Sequence, residues 1–404
     1  MKHKKHLRGT FLLSVLFSVL LSTQASSKSF ALPDFDNWLE GIQQEALEQG
    51  ISPSLVQQAF DEFTPNEKIF SSDQRQPEFS LGFWEYFERG VNSDRIAFGK
   101  EKFIENQELL EEISKKYNVQ PRFLVAFWGL ETDFGRVKGS HPLVQALATL
   151  AYHPRRAAFF RSELMQLLKI IDAGHMNLEE AKGSWAGAFG HTQFMPSTFA
   201  AYAVDGNDDG KIHLIDSPAD ALYSAANYLK NLGWDDQKTW GREVALPQGF
   251  DLNFAKLYEK QPLEFWKEQG VTAISGANLP NTDIEAALIV PAGLNGPAFL
   301  VYENFYRIMR WNKSIFFALN VSLLADAIGR DTLLQTQKPA GHKALKTSEI
   351  LQIQQNLAKL GYEVGAQDGI IGRQTRAALR DFQRQNALPA DGYPSVKTRQ
   401  LLAG

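Results

Sequence analysis

Cysteine is absent from all 404 residues. That removes disulfides, thiol nucleophiles and thiolate metal sites, together with any lipid-bearing N-terminal cysteine. Neither sign of charge is in excess: 42 Lys and Arg stand against 46 Asp and Glu, which argues against nucleic acid as a partner. Long hydrophobic runs are also missing, apart from Phe11 to Leu21, which is too short for a confident membrane span. That run follows a basic stretch, Met-Lys-His-Lys-Lys-His-Leu-Arg, and precedes Ser22-Thr23-Gln24-Ala25, a small-residue cleavage pattern. The combination reads as a secretory signal peptide over residues 1–25, with Ala31 the other cleavage point. A soluble periplasmic protein with no stable membrane insertion is therefore expected; an uncleaved signal acting as an anchor is the alternative. At this length two or three domains are expected, so core size is no limitation.

The most informative stretch runs from Pro121 to Gly135. Pro121 suits a first helical position, and every residue from Phe123 to Leu130 is apolar or glycine. Such a helix has no water-facing stripe and is expected to be buried on all sides. It ends in one carboxylate, Glu131, with Gly135 as a stop. An ionised Glu at a helix C-terminus opposes the macrodipole, and desolvation adds to the cost; both raise the carboxyl pKa, as a general acid requires. The plain alternative is a half-exposed surface Glu on the last turn.

A second stretch, Gly183 to Tyr202, is rich in small residues: Gly183, Ala186, Gly187, Ala188 and Gly190. So little bulk would let a ligand approach the backbone closely. Ser184 and Gln193 then supply short-range hydrogen bonds on an apolar surface, the usual make-up of a small-ligand groove. A tight helix contact would explain the glycines but not Gln193 beside Phe194 and Met195.

Glu131-Thr-Asp-Phe-Gly135, followed some fifty residues later by Gly183-Ser-Trp-Ala-Gly-Ala-Phe-Gly-His-Thr-Gln-Phe-Met-Pro-Ser197, resembles the lytic murein transglycosylase B family. The likeness spans about residues 35 to 330. It implies a mainly α, lysozyme-like catalytic domain over residues 33–330 that cleaves the MurNAc–GlcNAc bond of peptidoglycan. It also implies Glu131 as the catalytic acid, with Ser184 and Gln193 contacting the sugar. Glycosidases generally need two carboxylates, ~5–5.5 Å or ~6.5–9.5 Å apart. Asp133, two residues from Glu131, belongs to another helix face, and neither motif holds a further Asp or Glu. A lone acid fits a substrate-assisted route without a catalytic cofactor, in which the MurNAc C6 hydroxyl closes on C1 to a 1,6-anhydro sugar. Further along, Tyr228 matches a family tyrosine lining the glycan groove. Asn304 to Ser314 resembles the family's last active-site helix, with Asn312 toward the substrate. Trp311 and Phe317 stand where the family usually has tyrosines, so stacking survives but a hydroxyl is lost.

Between these lies Asp205-Gly-Asn-Asp-Asp-Gly-Lys-Ile-His-Leu-Ile-Asp216. Asp205, Asn207 and Asp209 occupy positions 1, 3 and 5 of an EF-hand loop, Gly210 position 6, and Lys211 offers its carbonyl at 7. Position 12 is Asp216 instead of the bidentate Glu, and the related family's last ligand matches Asp220 better. A structural Ca²⁺ is expected; a plain acidic turn is the alternative.

Residues 235 to 300 suggest a few short strands or loops around Ala286 to Pro291. Residues 331–347 read as a linker. Beyond it Ser348 can cap a helix, and Asp368-Gly369 with Thr375, Arg376 and Leu379 recurs 23 residues later as Asp391-Gly392 with Thr398, Arg399 and Leu402. This segment, 348–404, resembles the peptidoglycan-binding domain family, a small three-helix bundle, so peptidoglycan glycan strands are the expected partner. Two competing readings are a lysozyme-type hydrolase that keeps Glu131 but uses water, and a non-catalytic calcium-stabilised wall-binding protein.

Overall fold

The apolar run Phe123–Leu130 sits where its composition requires, at the centre of the helical body. The structure is a computed structural model describing residues 34–73 and 81–403; the expected signal peptide lies outside the described residues. The motif helix, Pro121–Thr132, buries every residue from Phe123 to Gly129. A helix without a polar stripe needs neighbours on several sides. Ile315–Gly329, itself buried over most of its length, and Ser93–Glu105 are two of them. The helix stops earlier than Gly135 suggests: Asp133 adopts the left-handed region (φ 53°), and its N–H donates to Gly129 O at 3.1 Å. Asp tolerates that conformation better than most residues do.

Two helical cores lie side by side. One surrounds the motif helix and includes Phe127, Phe305 and Phe317; the other is built on Leu143–Tyr152 and Ala157–Asp172, with Phe160, Phe189 and Phe194. Trp311 is half-buried and packs against both, so it marks the seam. Phe83 and Trp84, from the aromatic cluster Phe83–Phe87, are buried, and Phe83 meets Phe316 edge-on. That pair belongs to the core around the motif helix.

The strands expected near Ala286 belong to a five-stranded antiparallel sheet. Its order is Gln261–Pro262, Glu285–Ile289, Ala298–Val301, Gly241–Ala245 and Thr272–Ala273. Alternation sorts its side chains: Ala287, Ile289, Phe299 and Val301 join the motif-helix core, while Ala286, Leu288, Ala298 and Leu300 join a third core with Trp266 and Tyr302. Both faces are covered, which explains why these strands read as unbroken apolar runs.

Residues 331–346 have the irregular backbone expected of a linker but are tied down. The Glu243 carboxylate accepts the N–H groups of Gln335 and Thr336, both at 2.8 Å, and Lys338 reaches Glu88 at 2.9 Å. The C-terminal module follows as helices Thr347–Lys359, Arg373–Gln385 and Val396–Ala403 around Ile353, Leu357, Leu379 and Phe382. Its first helix starts one residue before Ser348, and the Glu349 carboxylate accepts the Lys346 N–H at 2.8 Å, so Ser348 is not the cap.

The internal repeat has a physical content. Buried Gln354 accepts the Gly369 N–H at 2.8 Å and donates to Ile370 O at 2.9 Å; buried Gln383 accepts from Gly392 at 2.8 Å and donates to Tyr393 O at 3.2 Å. Each Asp-Gly turn is thus stapled by one buried glutamine. Gln354→Ala or Gln383→Ala strands these turn groups without partners, so each is expected to destabilise the module by roughly 1–3 kcal/mol. Denaturant titration with hydrogen exchange over residues 347–403 measures this, and unchanged protection in both variants would remove the staples from the account.

Candidate active site

Glu131 lies on the last turn of the motif helix and is half-buried. What fixes that turn is a residue the sequence reading passed over, His191. The Trp128 indole Nε1–H donates to His191 Nδ1 at 2.9 Å, the Thr132 hydroxyl donates to His191 O at 2.7 Å, and the Gly135 N–H donates to Thr132 Oγ1 at 3.0 Å. The His191 N–H in turn donates to Leu214 O at 2.8 Å. The end of the motif helix is therefore bolted to the loop carrying Ser184 and Gln193. Since Nδ1 accepts, the imidazole is the neutral Nε2–H tautomer. Burial, with Lys138 nearby, pushes its pKa down to about 4.

The glycines of that loop do not open a path to ligand. A side chain at Gly183 would strike Ala188 O, one at Gly187 the Leu147 side chain, and one at Gly190 the Leu214 backbone. Their smallness is used for close internal packing, which corrects the expectation of ligand access along the backbone. Within this loop Ser184 Oγ accepts the Ala188 N–H at 3.0 Å. Gln193 sits in the left-handed region (φ 50°) and donates its amide to Lys138 O at 3.1 Å and Gly190 O at 3.0 Å. Its amide oxygen remains as an acceptor.

Tyr228 and Trp311, 83 residues apart in the chain and farther still from the motif helix, meet in one aromatic wall. Trp311 stacks on Phe127 with ring centroids 4.3 Å apart, and Tyr228 lies 5.3 Å from Trp311 and 4.7 Å from Tyr202. Burial raises the Tyr228 hydroxyl pKa. Asn312 ends the helix Glu303–Trp311 and accepts the Ser314 N–H at 3.0 Å.

The acidic loop forms around Gly210 (φ 86°). Asp205 accepts the N–H groups of Gly210 at 2.7 Å and Asp209 at 3.3 Å; Asn207 accepts that of Asp209, and Asp209 that of Lys211. Asp220 is wholly buried and accepts from Gly206 at 2.9 Å and His213 at 2.7 Å, whereas Asp216 is exposed and lies 3.8 Å from Lys138 Nζ. Of the two residues considered for the last position, Asp220 is built into the loop and Asp216 is not. Among the described residues no three His, Asp or Glu side chains gather closely enough to hold a metal ion. The chemistry of the donor set nevertheless suits a hard cation, being all oxygen once Asn207 and the Lys211 carbonyl join Asp205 and Asp209.

A half-buried carboxyl on the last turn of a buried helix, braced through Thr132 and His191, with an aromatic wall packed on Phe127 of the same helix, points to a glycan-cleaving enzyme. Residues 34–326 match the transglycosylase SLT domain and residues 346–402 a peptidoglycan binding domain, and the chain belongs to the SLT transglycosylase family. The membrane-bound lytic murein transglycosylase B of Escherichia coli K12 is 32% identical over 299 residues, 70% of this chain and 77% of that protein. SltB3 from Pseudomonas aeruginosa, solved with NAG-anhNAM-pentapeptide, is 39% identical with a TM-score of 0.86, covering 92% of this chain and 100% of that one. Slt35 from Escherichia coli, solved with calcium, is 28% identical with a TM-score of 0.61, covering 72% and 92%. The chain is a peptidoglycan lytic transglycosylase that leaves a 1,6-anhydro-MurNAc end.

His191 links stability to pH. Its native pKa of about 4 lies below the ordinary 6.5, so the unfolded chain binds more protons in between. Its contribution is complete above pH 6.5 and is lost as pH falls toward 4, amounting to about 3 kcal/mol. His191→Gln is expected to flatten this part of the stability profile in thermal melts taken from pH 7 to 4; an unchanged slope would exclude His191 as its source.

Proposed function

We propose that Glu131 is the only acid and base of the reaction. The carrying observation is that the carboxylates of Asp133, two residues along the chain, and of Glu163, on the helix Ala157–Asp172, are already engaged. Asp133 pairs with Arg95 at 3.4 Å and Arg136 at 2.7 Å, and Glu163, buried, accepts both the N–H and the hydroxyl of Ser197. No second carboxylate in the two motifs is left to serve as nucleophile. Glu131 gives its proton to the GlcNAc O4 as the bond to MurNAc C1 breaks. The MurNAc C6 hydroxyl then forms the new bond to C1, and the Glu131 carboxylate takes its proton. The acid is regenerated and the product carries the anhydro ring.

In the same reading Ser184, Gln193 and Asn312 hydrogen-bond the sugars, and Tyr228 with Trp311 forms the stacking wall. The acidic loop holds a structural Ca²⁺ through Asp205, Asn207, Asp209, the Lys211 carbonyl and Asp220. Support comes from its oxygen donor set and from the calcium complex of the related Slt35. The metal supplies folding energy and takes no part in the chemistry. The basic-apolar N-terminus directs the chain to the periplasm, where the C-terminal module holds it on its insoluble substrate. Among the described residues no helix is long and apolar enough to cross a membrane.

Glu131→Gln removes both proton transfers, so the loss in rate is expected to exceed the ~10²–10⁴-fold of a single acid–base role. Asp133→Asn is the control, because Asn also accepts the left-handed cap and the partly exposed ion pairs with Arg95 and Arg136 belong to stability, not to proton transfer. Mass spectrometry of products released from purified sacculi decides, and near-wild-type anhydro-muropeptide release by Glu131→Gln would overturn the assignment.

Calcium should raise the melting temperature by mass action, about 2.7 kcal/mol at a hundredfold excess over Kd. The double variant Asp205→Ala, Asp209→Ala should lose that rise. Identical melts of the unaltered protein in calcium and in chelator would refute the site.

A further inference from the structure

A short surface segment, residues 136–140, runs from the end of the motif helix toward the loop that carries Ser184 and Gln193. At one end the Val137 N–H donates to Thr132 O at 2.9 Å; at the other, His141–Pro142 pairs with Lys182–Gly183, the two residues before Ser184. Between them Lys138, half-buried, is bonded through both its side chain and its backbone. Its ammonium donates to Ile215 O at 2.6 Å, with the carboxylate of exposed Asp216 3.8 Å away, and its carbonyl accepts the Gln193 amide at 3.1 Å. The next residue, Gly139 (φ 93°), has its backbone so close to Gly183 and Ser184 that any side chain there would strike them.

These bonds close a ring. From Gln193 it passes through the Lys138 carbonyl and ammonium to Ile215, then to Leu214, whose carbonyl accepts the His191 N–H at 2.8 Å, and returns through Thr192 to Gln193. The ring holds a residue under strain. Gln193 sits at φ 50°, a region that side chains other than Asn and Asp rarely enter, and such a conformation persists only where its surroundings over-determine it. The orientation of its amide is fixed as well, because two carbonyls, Lys138 O and Gly190 O, can be met only by the NH₂ group. The amide oxygen is the atom left for a ligand, and only a donor on the sugar can use it. The charge-assisted bond is the strongest kind in this ring, and it comes from Lys138. We propose that Lys138 is a positioning residue for the glycan cleft, acting through Gln193 to hold its amide oxygen toward the sugar. This rests on Gln193 as a sugar contact. The turn carrying Glu131 is fixed by other atoms, the His191 carbonyl and ring, so the lysine governs binding and not the chemical step.

The test measures KM and kcat of the full chain from the release of anhydro ends by soluble glycan strands, with thermal melts alongside. Lys138→Met keeps the stem and the backbone carbonyl but removes the ammonium. Its KM should rise roughly tenfold, the size of one charged hydrogen bond. Its kcat should stay within about twofold of the unaltered protein, the pattern of lost binding. Lys138→Arg keeps a charged donor and should restore most of the KM. Gln193→Ala should raise KM at least as far, and adding Lys138→Met to it should cost nothing more, because both act at one contact. A normal KM in Lys138→Met beside a raised one in Gln193→Ala would overturn the proposal and leave the cleft reading standing. Multiplying effects of the two substitutions would overturn it too, as would a fall in kcat and melting temperature at constant KM, which marks a merely structural lysine. An unchanged KM in Gln193→Ala would remove Gln193 from the cleft and the proposal with it, while anhydro ends would still report the transglycosylase activity.

Discussion

The neutral imidazole of His191 holds together the two halves of the site. A hydroxyl from Thr132 and an indole N–H from Trp128 both converge on this one residue, one on its carbonyl and one on its ring. Because these donors come from successive turns of one face of the motif helix, the helix can neither rotate nor slide without breaking both. Glu131, one residue from Thr132, inherits that rigidity. A charged imidazole would have no acceptor left for Trp128, so the same geometry that positions the carboxyl also requires the histidine to stay unprotonated.

The rest of the body is arranged to keep the motif helix dry. Its apolar faces are covered by helices and by one face of the sheet, and the other face of that sheet has its own core with Trp266 and Tyr302. Trp311 stands at the seam between the two helical cores and stacks on Phe127 from the motif helix. An aromatic wall thus grows out of the core packing and needs no separate support.

The C-terminal module is built twice from one device, a buried glutamine closing an Asp-Gly turn, and the two copies then diverge in charge. Arg399 is neutralised within the module, whereas Arg376 and Arg380 are turned to the face that meets the body. Arg384 reaches Asn253 at 2.9 Å, and the Leu294 N–H reaches Asp391. The segment before the module is held by Glu243 and Glu88. Module and body share polar contacts along a face whose centre is a cavity, so docking is specific without being tightly packed.

Much of this could be read from the sequence, for a local reason. Helix burial, the Asp-Gly turns and the acidic loop depend on residues a few positions apart, and short spacings record them directly. The position of Glu131 on a last turn followed from such patterns, whereas the mainly helical fold was what the family resemblance implied. What spacing could not show were pairings across long separations. Trp128 and His191 lie 63 residues apart, Asn320 and Tyr86 are 234 apart, and Lys338 and Glu88 are 250 apart. The glycines between Gly183 and Gly190 look the same in sequence whether ligand or protein fills the space beside them; the fold put Leu147, Ala188 and Leu214 there. Likewise a polar stretch over residues 331–346 carries no mark of what will hold it down. Sequence alone determined which elements form and which chemistry they carry, because those are short-range properties of the chain. Tertiary structure alone decided which histidine locks the motif helix in place and which arginines face the catalytic body, because a buried polar group is defined by what closes around it.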